Sequence, residues 1–146
     1  MPVDQIWHAG DVGNIQILNE LQKLKPVVAV SGNIDGTDVR AVAPKVQLFR
    51  VEQVGVLMMH IGGYPGKYEA EARKLIETKH PKIFVSGHSH ILRVMFDKRY
   101  NCLHLNPGAA GQYGFHKVRT MLRFTIDGIN IRDLEVWEYK KHIGAE

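Results

Sequence analysis

The sequence predicts an α/β fold with a mixed sheet, and three patterns lead to this prediction. A strand–helix–strand pattern in residues 3–30 is typical of a βαβ unit. Short apolar runs without polar alternation indicate strands that are covered on both faces, as in a parallel sheet. Two later pairs of apolar runs, each separated by two polar or glycine residues, indicate β-hairpins.

The βαβ unit begins with a strand over residues 3–7. Apolar residues then recur at every third position between Val12 and Leu24, which gives a helix one apolar face, and Asn14 is its expected N-cap. Pro26 ends this helix, and the apolar run over 27–30 forms the second strand.

The remaining elements are hairpins, a helix and further strands. The pair Asp127-Gly128 favours a hairpin with a type I′ turn. A loop over 61–66 holds three glycines and a proline and needs backbone freedom. The predicted elements are strands 46–51 and 54–60, a helix over 68–79, and strands 83–85, 92–96, 102–105, 121–126 and 129–136.

Composition is that of an ordinary globular protein, and its 146 residues fit one domain over 1–146. No apolar run is long enough to span a bilayer, and the first residues lack the pattern of a signal peptide. One cysteine, Cys102, cannot form an internal disulfide, so we expect a cytoplasmic protein. The formal net charge of +4 is dispersed, so we expect neither a nucleic-acid duplex nor a membrane as partner.

Polar clusters follow four of the predicted strands. In open α/β sheets, ligands bind at the carboxyl ends of the strands. Each cluster alone has a simpler explanation, because Gly-Asp and Gly-Asn are common turns and a single histidine is usually a core residue. Their joint occurrence favours a metal site, and mixed oxygen and imidazole donors suit Mn²⁺, Fe²⁺, Zn²⁺ or Ni²⁺. The candidate ligands are Asp11, Asn33, His60, His88 and His90.

Five motifs stand along the chain in this order: His8-Ala9-Gly10-Asp11, Ser31-Gly32-Asn33-Ile34-Asp35, His60, Ser86-Gly87-His88-Ser89-His90 and Asn106-Pro107-Gly108. This ordered set resembles the calcineurin-like metallophosphoesterase superfamily, and within it a branch of small bacterial and archaeal phosphodiesterases. The resemblance covers nearly the whole chain. It implies a two-sheet αββα sandwich without the first strand and helix of the family.

The resemblance also implies a two-metal site, with Mn²⁺ as the first expectation and Fe²⁺, Zn²⁺ or Ni²⁺ as alternatives. Asp11 would bridge the metals, Asn33, His60 and His88 would complete the second site, and His90 would bind the first metal. A metal-bound hydroxide would then attack the phosphorus of a small-molecule or nucleotide phosphodiester. We expect Asp35 and His8 to lie next to the metal ligands without binding the metal themselves. We expect Gly62, Gly63 and Gly108 to lie in the loops that contact the substrate.

The chain departs from the family pattern in two places. It begins where the second strand of the family would lie, without the opening strand that ends in Asp-x-His. We therefore expect one intact and one incomplete metal site, impaired activity, and a homo-oligomer that covers the unpaired strand edge. Ile34 stands where many members have a proton-donating histidine. His116 is an alternative donor, while an exposed loop histidine is its simpler interpretation.

A second functional class stays open, since a eukaryotic branch of the same family uses the fold as a sorting-complex subunit with little catalysis. The expected function is therefore a metal-dependent phosphoesterase, with a non-catalytic scaffold as the alternative. A structural zinc protein fits poorly, because such sites are usually rich in cysteine.

Overall fold

A five-stranded mixed sheet forms the centre of the computed structural model, which describes residues 3–111, 114, 116 and 118–140. No helix in these ranges is both long and apolar enough to cross a membrane. In chain order the elements are β1 (Ile6–His8), α1 (Ile15–Leu24), β2 (Val27–Ala29), α2 (Thr37–Val42), β3 (Val46–Val51), β4 (Val54–Met59), β5 (Gly63–Tyr64), β6 (Lys67–Tyr68), α3 (Ala70–Lys79), β7 (Ile83–Ser86), β8 (Leu92–Asp97), β9 (Cys102–Pro107), β10 (Val118–Asp127) and β11 (Asn130–Lys140).

The central sheet has the strand order β3-β4-β7-β9-β8. Its three inner strands are parallel, and the two edge strands pair antiparallel to them. Five of the six residues of β4 are buried, and so are all four residues of β7. These two strands carry continuous apolar runs because both faces of the sheet are covered.

One face of the central sheet packs against α3. Leu57 and Phe84 of the sheet form a buried cluster with Ala72 and Ile76 of that helix. The two helix residues are four positions apart, so they share one face of α3.

The other face packs against a second layer of strands. Met58 and Val85 of the central sheet are buried there, with Trp7 of β1 and Phe124 of β10 packed against this cluster. The Trp7 ring meets Phe124 edge-on at 5.4 Å between centroids. The layer consists of the parallel pair β1–β2 and the antiparallel hairpin β10–β11.

Two helices cover the outer side of β1–β2. Leu18 of α1 and Val39 of α2 are buried in one cluster with Ala29 of β2. The layers are therefore helix, sheet, sheet and helix, and the predicted αββα sandwich is confirmed.

Several predicted boundaries differ from the observed ones. The α1 helix begins at Ile15, where the Asn14 side chain accepts a hydrogen bond from the Gln16 N–H at 2.9 Å, and Val12 is buried outside the helix. The sequence pattern missed α2, which has six residues, and the β5–β6 pair, which has two residues in each strand. Elements this short present too few positions for a period to emerge.

The predicted type I′ turn at Asp127-Gly128 is wrong. Asp127 pairs with Asn130, so the two loop residues are Gly128 and Ile129. Only Gly128 has a positive φ, of 65°, which matches a type II′ turn with glycine at its first central position. This turn sets Ile126 opposite Ile131, and both side chains pack against the core.

His104 lies in the core of the central sheet and not among the polar strand ends. It is 1% exposed, and its Nδ1 donates a hydrogen bond to the Phe84 carbonyl at 3.2 Å. Burial lowers the pKa of His104 from 6.5 to about 4, against the opposing effect of this hydrogen bond. The histidine therefore stays neutral in the folded protein at pH 7.

This neutral core histidine predicts a loss of stability on mild acidification. Since the pKa of His104 is lower in the folded than in the unfolded chain, the unfolded chain binds the proton first. The free energy of unfolding should therefore fall by about 3 kcal/mol as the pH drops from above 6.5 towards 4. His104→Gln keeps a donor for Phe84 but cannot titrate, and it should lack this decrease in urea unfolding. The exposed-histidine variant His80→Asn should retain it, and equal pH profiles for all three proteins would contradict the assignment.

Candidate metal centre

The sequence-predicted ligands follow the carboxyl ends of four strands. Asp11 follows β1, Asn33 follows β2, His60 follows β4, and His88 and His90 follow β7. The β1–β2 and β4–β7 pairs are both parallel, so the members of each pair deliver their loops to the same edge. Two layers of the sandwich therefore contribute to one site.

His60 joins the two layers. This imidazole is 5% exposed, and its Nδ1 lies 2.8 Å from the carbonyl oxygen of Ala9 in the other layer. A carbonyl oxygen only accepts, so Nδ1 carries the proton. Nε2 then faces two oxygens, Asp11 Oδ2 at 3.2 Å and Asn33 Oδ1 at 3.0 Å.

His88 reaches the same amide oxygen from the other side. Its Nδ1 lies 3.2 Å from Asn33 Oδ1, and its ring stands nearly perpendicular to that of His60 at 5.3 Å between centroids. Asp11, Asn33, His60 and His88 thus form one connected group, which we call the four-donor group. Asn33 and His88 are exposed, so a ligand can approach the group from solvent.

His90 lies beside His116 and within electrostatic range of the four-donor group, since Asp11, His60 and His88 all act on its pKa. Its ring lies 5.1 Å from that of His116, and no hydrogen bond or ion pair joins it to the four-donor group within the described ranges. Burial lowers the pKa of His90, His116 lowers it further, and Asp11 acts in the opposite direction. The His116 Nε2 donates to the Gly111 carbonyl at 2.8 Å. The glycine-bounded loop was the only sequence signal for His116, and its other residues 112, 113 and 115 lie outside the described part of the chain.

Asp35 ties the loops that carry Asp11 and Asn33 together. Its carboxylate accepts hydrogen bonds from the backbone N–H groups of Val12, Gly13 and Gly32 at 2.7–3.1 Å. Burial alone would raise the pKa of this carboxyl, but the three donors outweigh it and the pKa lies below its ordinary value. Asp35 is an ionised anchor in the fold and does not touch the four-donor group directly.

His8 supports the same loop from β1. Its Nδ1 accepts a hydrogen bond from the Gly10 N–H at 3.2 Å. Burial lowers the pKa of His8, and the nearby Asp35 carboxylate acts in the opposite direction. His8 therefore contacts the backbone beside Asp11 and not a candidate ligand itself.

The glycines before the ligands permit a close approach of the loops. A Cβ on Gly10 would lie 2.5 Å from His60 Nδ1, and one on Gly32 would collide with the Asp11 carboxylate. The backbone is strained at three candidate ligands, since Asp11, His88 and His90 have φ values of 56°, 69° and 62°. Such strain collects at functional sites, where the surrounding structure maintains it.

The predicted substrate-loop glycines lie beside this edge of the central sheet. Gly63 has a φ of 80°, and its carbonyl accepts a hydrogen bond from the Ser86 hydroxyl at 2.9 Å. Gly62 is buried against the Phe84 ring. Gly108 has a φ of 75°, and its N–H donates to Asn106 Oδ1 at 3.0 Å. These contacts fix the loops after β4 and β9.

The four-donor group fits a divalent cation in the chemistry of its donors. His60 Nε2 faces two acceptor oxygens, an arrangement that a positive charge between these atoms would stabilise. Across the ranges described, no three His, Cys, Asp or Glu side chains stand together as a metal-holding group. The amide oxygen of Asn33 is the member of the four-donor group that contacts both imidazoles.

Residues 1–128 match the profile of the calcineurin-like phosphoesterase superfamily domain. The chain belongs to the calcineurin-like phosphoesterase superfamily. Over 112 residues it is 34% identical to a protein of Methanothermobacter thermautotrophicus named "Probable metallophosphoesterase", an alignment of 73% of this chain. The chain spans only 60% of the length of that archaeal relative.

Solved structures share the fold of this superfamily member. Wild-type Vps29 of Entamoeba histolytica in complex with Zn²⁺ superposes with a TM-score of 0.71, at 16% identity over 94% of this chain and 82% of Vps29. A predicted phosphoesterase of Streptococcus pneumoniae gives 0.68, at 18% identity over 98% of this chain and 79% of the other. At these identities the likeness shows the fold alone. The superfamily is divalent-metal dependent.

Substitutions at two glycines test whether the loop after β1 packs closely against His60. Gly10 and Gly13 both have a positive φ, of 102° and 86°, but only a Cβ on Gly10 would meet His60. Gly13→Ala should lower the free energy of unfolding by about 1–2 kcal/mol through backbone strain alone. Gly10→Ala should cost more in urea unfolding and should also shift the His60 ring resonances in NMR spectra. Equal effects of the two substitutions would rule out the contact.

Proposed function

We propose that this chain binds a divalent cation at the four-donor group and hydrolyses phosphodiesters of small molecules or nucleotides. The observation that supports this most is the surroundings of His60 Nε2. The Ala9 carbonyl holds the proton on Nδ1, so Nε2 is the nitrogen that can take up a cation or a second proton where it faces Asp11 and Asn33. Three electron-rich atoms that converge in this way call for a cation or a proton between them.

The bound cation would supply Lewis-acid polarisation of phosphate oxygens and would lower the pKa of a water molecule. The chain itself holds and orients the donors. His60 is fixed by Ala9, and Asp11 is fixed by an N–H bond from Ile34 at 3.1 Å. Carboxylate, amide and imidazole donors suit Mn²⁺ first, with Fe²⁺, Zn²⁺ or Ni²⁺ as alternatives.

We further propose one intact and one incomplete metal site. The four-donor group would form the intact site. The incomplete site would have His90 and the bridging Asp11 as its candidate ligands among the described residues, so we expect weak binding there. Reduced activity of this chain would follow.

Leaving-group chemistry follows from Ile34. This side chain is 64% exposed beside Asn33, and it cannot donate a proton to a departing alkoxide. Aryl diesters, whose leaving groups need no proton, should therefore react faster than alkyl diesters.

A metal-binding and hydrolysis experiment tests the proposal. We expect the protein to bind one equivalent of Mn²⁺ tightly in a calorimetric titration and to hydrolyse bis(p-nitrophenyl) phosphate with Mn²⁺. Since even the outer partners of metal ligands change affinity by about 10–100-fold, Asn33→Ala should weaken binding by at least ~100-fold. His80→Asn changes an exposed histidine at the end of α3, so Mn²⁺ binding and hydrolysis should stay unchanged in this variant. Absence of Mn²⁺ binding, or unchanged binding in Asn33→Ala, would overturn the proposal.

A non-catalytic scaffold is the second candidate, and the outer face of the β10–β11 hairpin favours it. Met121 lies directly opposite Trp137, whose ring stacks against Tyr139. All three side chains are 40–48% exposed. Exposed apolar and aromatic side chains in a row are typical of protein-binding surfaces. Metal binding without hydrolysis of any diester would support this candidate.

We also propose a homo-oligomer, supported by the open edge of β1. Within the described ranges β1 pairs only with β2. Ile6 N–H donates to Pro26, and the His8 carbonyl accepts from Val30, so the main-chain groups of Trp7 face away from β2. Such unpaired groups invite another strand.

Light scattering at high protein concentration tests the oligomer. We expect the mass of a dimer or a larger assembly, because pairing would satisfy the exposed main-chain groups of β1. A single monomeric species at every concentration would contradict it.

A further inference from the structure

A cavity of about 180 Å³ adjoins the four-donor group on the side of Asn33 and His60. Its lining also includes two basic side chains, Arg40 and Lys45, and no carboxylate. The volume is several times the roughly 30 Å³ that one water molecule occupies, so a phosphoryl group can enter. Nothing in the proposed hydrolysis uses these two cations.

Arg40 is held in place before any ligand arrives. Its Nε donates to the Asp35 carbonyl at 2.7 Å, and its Nη2 donates to the Gly32 carbonyl at 3.1 Å. Both acceptors belong to the loop that carries Asn33. Within the described part of the chain the guanidinium has no carboxylate partner, and its Nη1 makes no hydrogen bond. A fixed guanidinium with free donors is well suited to an oxyanion.

Lys45 supplies a second cation that is easily released. Its ammonium forms an ion pair with Glu71 at 2.9 Å, and the two side chains are 72% and 50% exposed. Exposed pairs of this kind contribute little to stability. The ammonium can therefore turn from Glu71 to an anion in the cavity at small cost.

We propose that this cavity is a subsite for a second anionic group of the substrate. The substrate class is then a phosphodiester that carries a further phosphoryl group, as in 5′-phosphorylated dinucleotides. The scissile diester lies at the four-donor group, while Arg40 and Lys45 bind the terminal phosphoryl group. The assignment of the diester rests on the proposed function, whereas anion binding by the cavity stands on the two cations.

Pyrophosphate binding to the metal-free protein tests the subsite directly. With a chelator present, pyrophosphate should shift the NMR resonances of the Arg40 Nε–Hε group and of Lys45. Arg40→Met should weaken the binding by at least about tenfold, because a charge-assisted hydrogen bond is lost. Lys45→Met should also weaken it. Lys98→Met removes the same charge from an exposed turn and should not.

The Lys45→Met variant tests pyrophosphate binding without disturbing the loop that carries Asn33. Arg40 also holds the loop of Asn33, so its loss alone could disturb the fold there. The Lys45 side chain makes no bond to that loop within the described residues, and its ion pair is with α3. Equal pyrophosphate affinity in the wild type, Lys45→Met and Lys98→Met, or shifts confined to residues away from the cavity, would overturn the subsite.

A kinetic comparison separates this inference from the proposed hydrolysis. With Mn²⁺, kcat/KM for a 5′-phosphorylated dinucleotide should exceed that for the unphosphorylated dinucleotide at least tenfold, and Lys45→Met should reduce this ratio. Hydrolysis with a ratio near one in the wild type would reject the subsite and leave the hydrolase intact. Pyrophosphate binding that Lys45→Met weakens, without hydrolysis of either dinucleotide or of bis(p-nitrophenyl) phosphate, would reject the hydrolase and support the anion site.

Discussion

The hydrogen bond between His60 Nδ1 and the Ala9 carbonyl is the constraint on which the site depends. It spans the two layers of the sandwich and holds a buried imidazole, so it fixes the position of the ring and keeps a proton on Nδ1. Nε2 must then face Asp11 and Asn33. Gly10 makes the contact possible, because any side chain there would occupy the space of the His60 ring. The chemistry proposed for this edge follows from the way the two layers are joined.

Strain in the loops is maintained by the packing beneath them. Asp11, His88 and His90 have left-handed backbone conformations that cost energy in residues with a side chain. The buried apolar clusters on both faces of the central sheet hold the strand ends that deliver these loops. Asp35 adds two charge-assisted hydrogen bonds between the loops, from Val12 and Gly13, and one within its own loop, from Gly32. The buried layers therefore stabilise the fold, while the strained residues are candidate metal ligands in the loops.

The fold alone does not separate an enzyme from a binding protein, since the same sandwich recurs in Vps29 and in a predicted phosphoesterase. The two candidate functions would use different surfaces of the molecule. The proposed metal and anion sites comprise the four-donor group, Arg40 and Lys45. The proposed protein-binding surface comprises Met121, Trp137 and Tyr139, which are exposed on the hairpin. The two surfaces comprise different residues, so one chain can carry both.

The sequence by itself determined the α/β class with a mixed sheet and four of the side chains that meet, because continuous apolar runs and turn motifs are local properties of the chain, while the αββα sandwich followed from the resemblance to the family. Parallel strands then bring their carboxyl ends to one edge. Only the tertiary structure decided that the ring of His90 lies against that of His116. It also decided the turn at Gly128 and the position of Arg40, which a six-residue helix sets against the Asn33 loop. These features depend on contacts between residues distant in sequence or on elements too short for periodicity. Local sequence patterns therefore do not predict them.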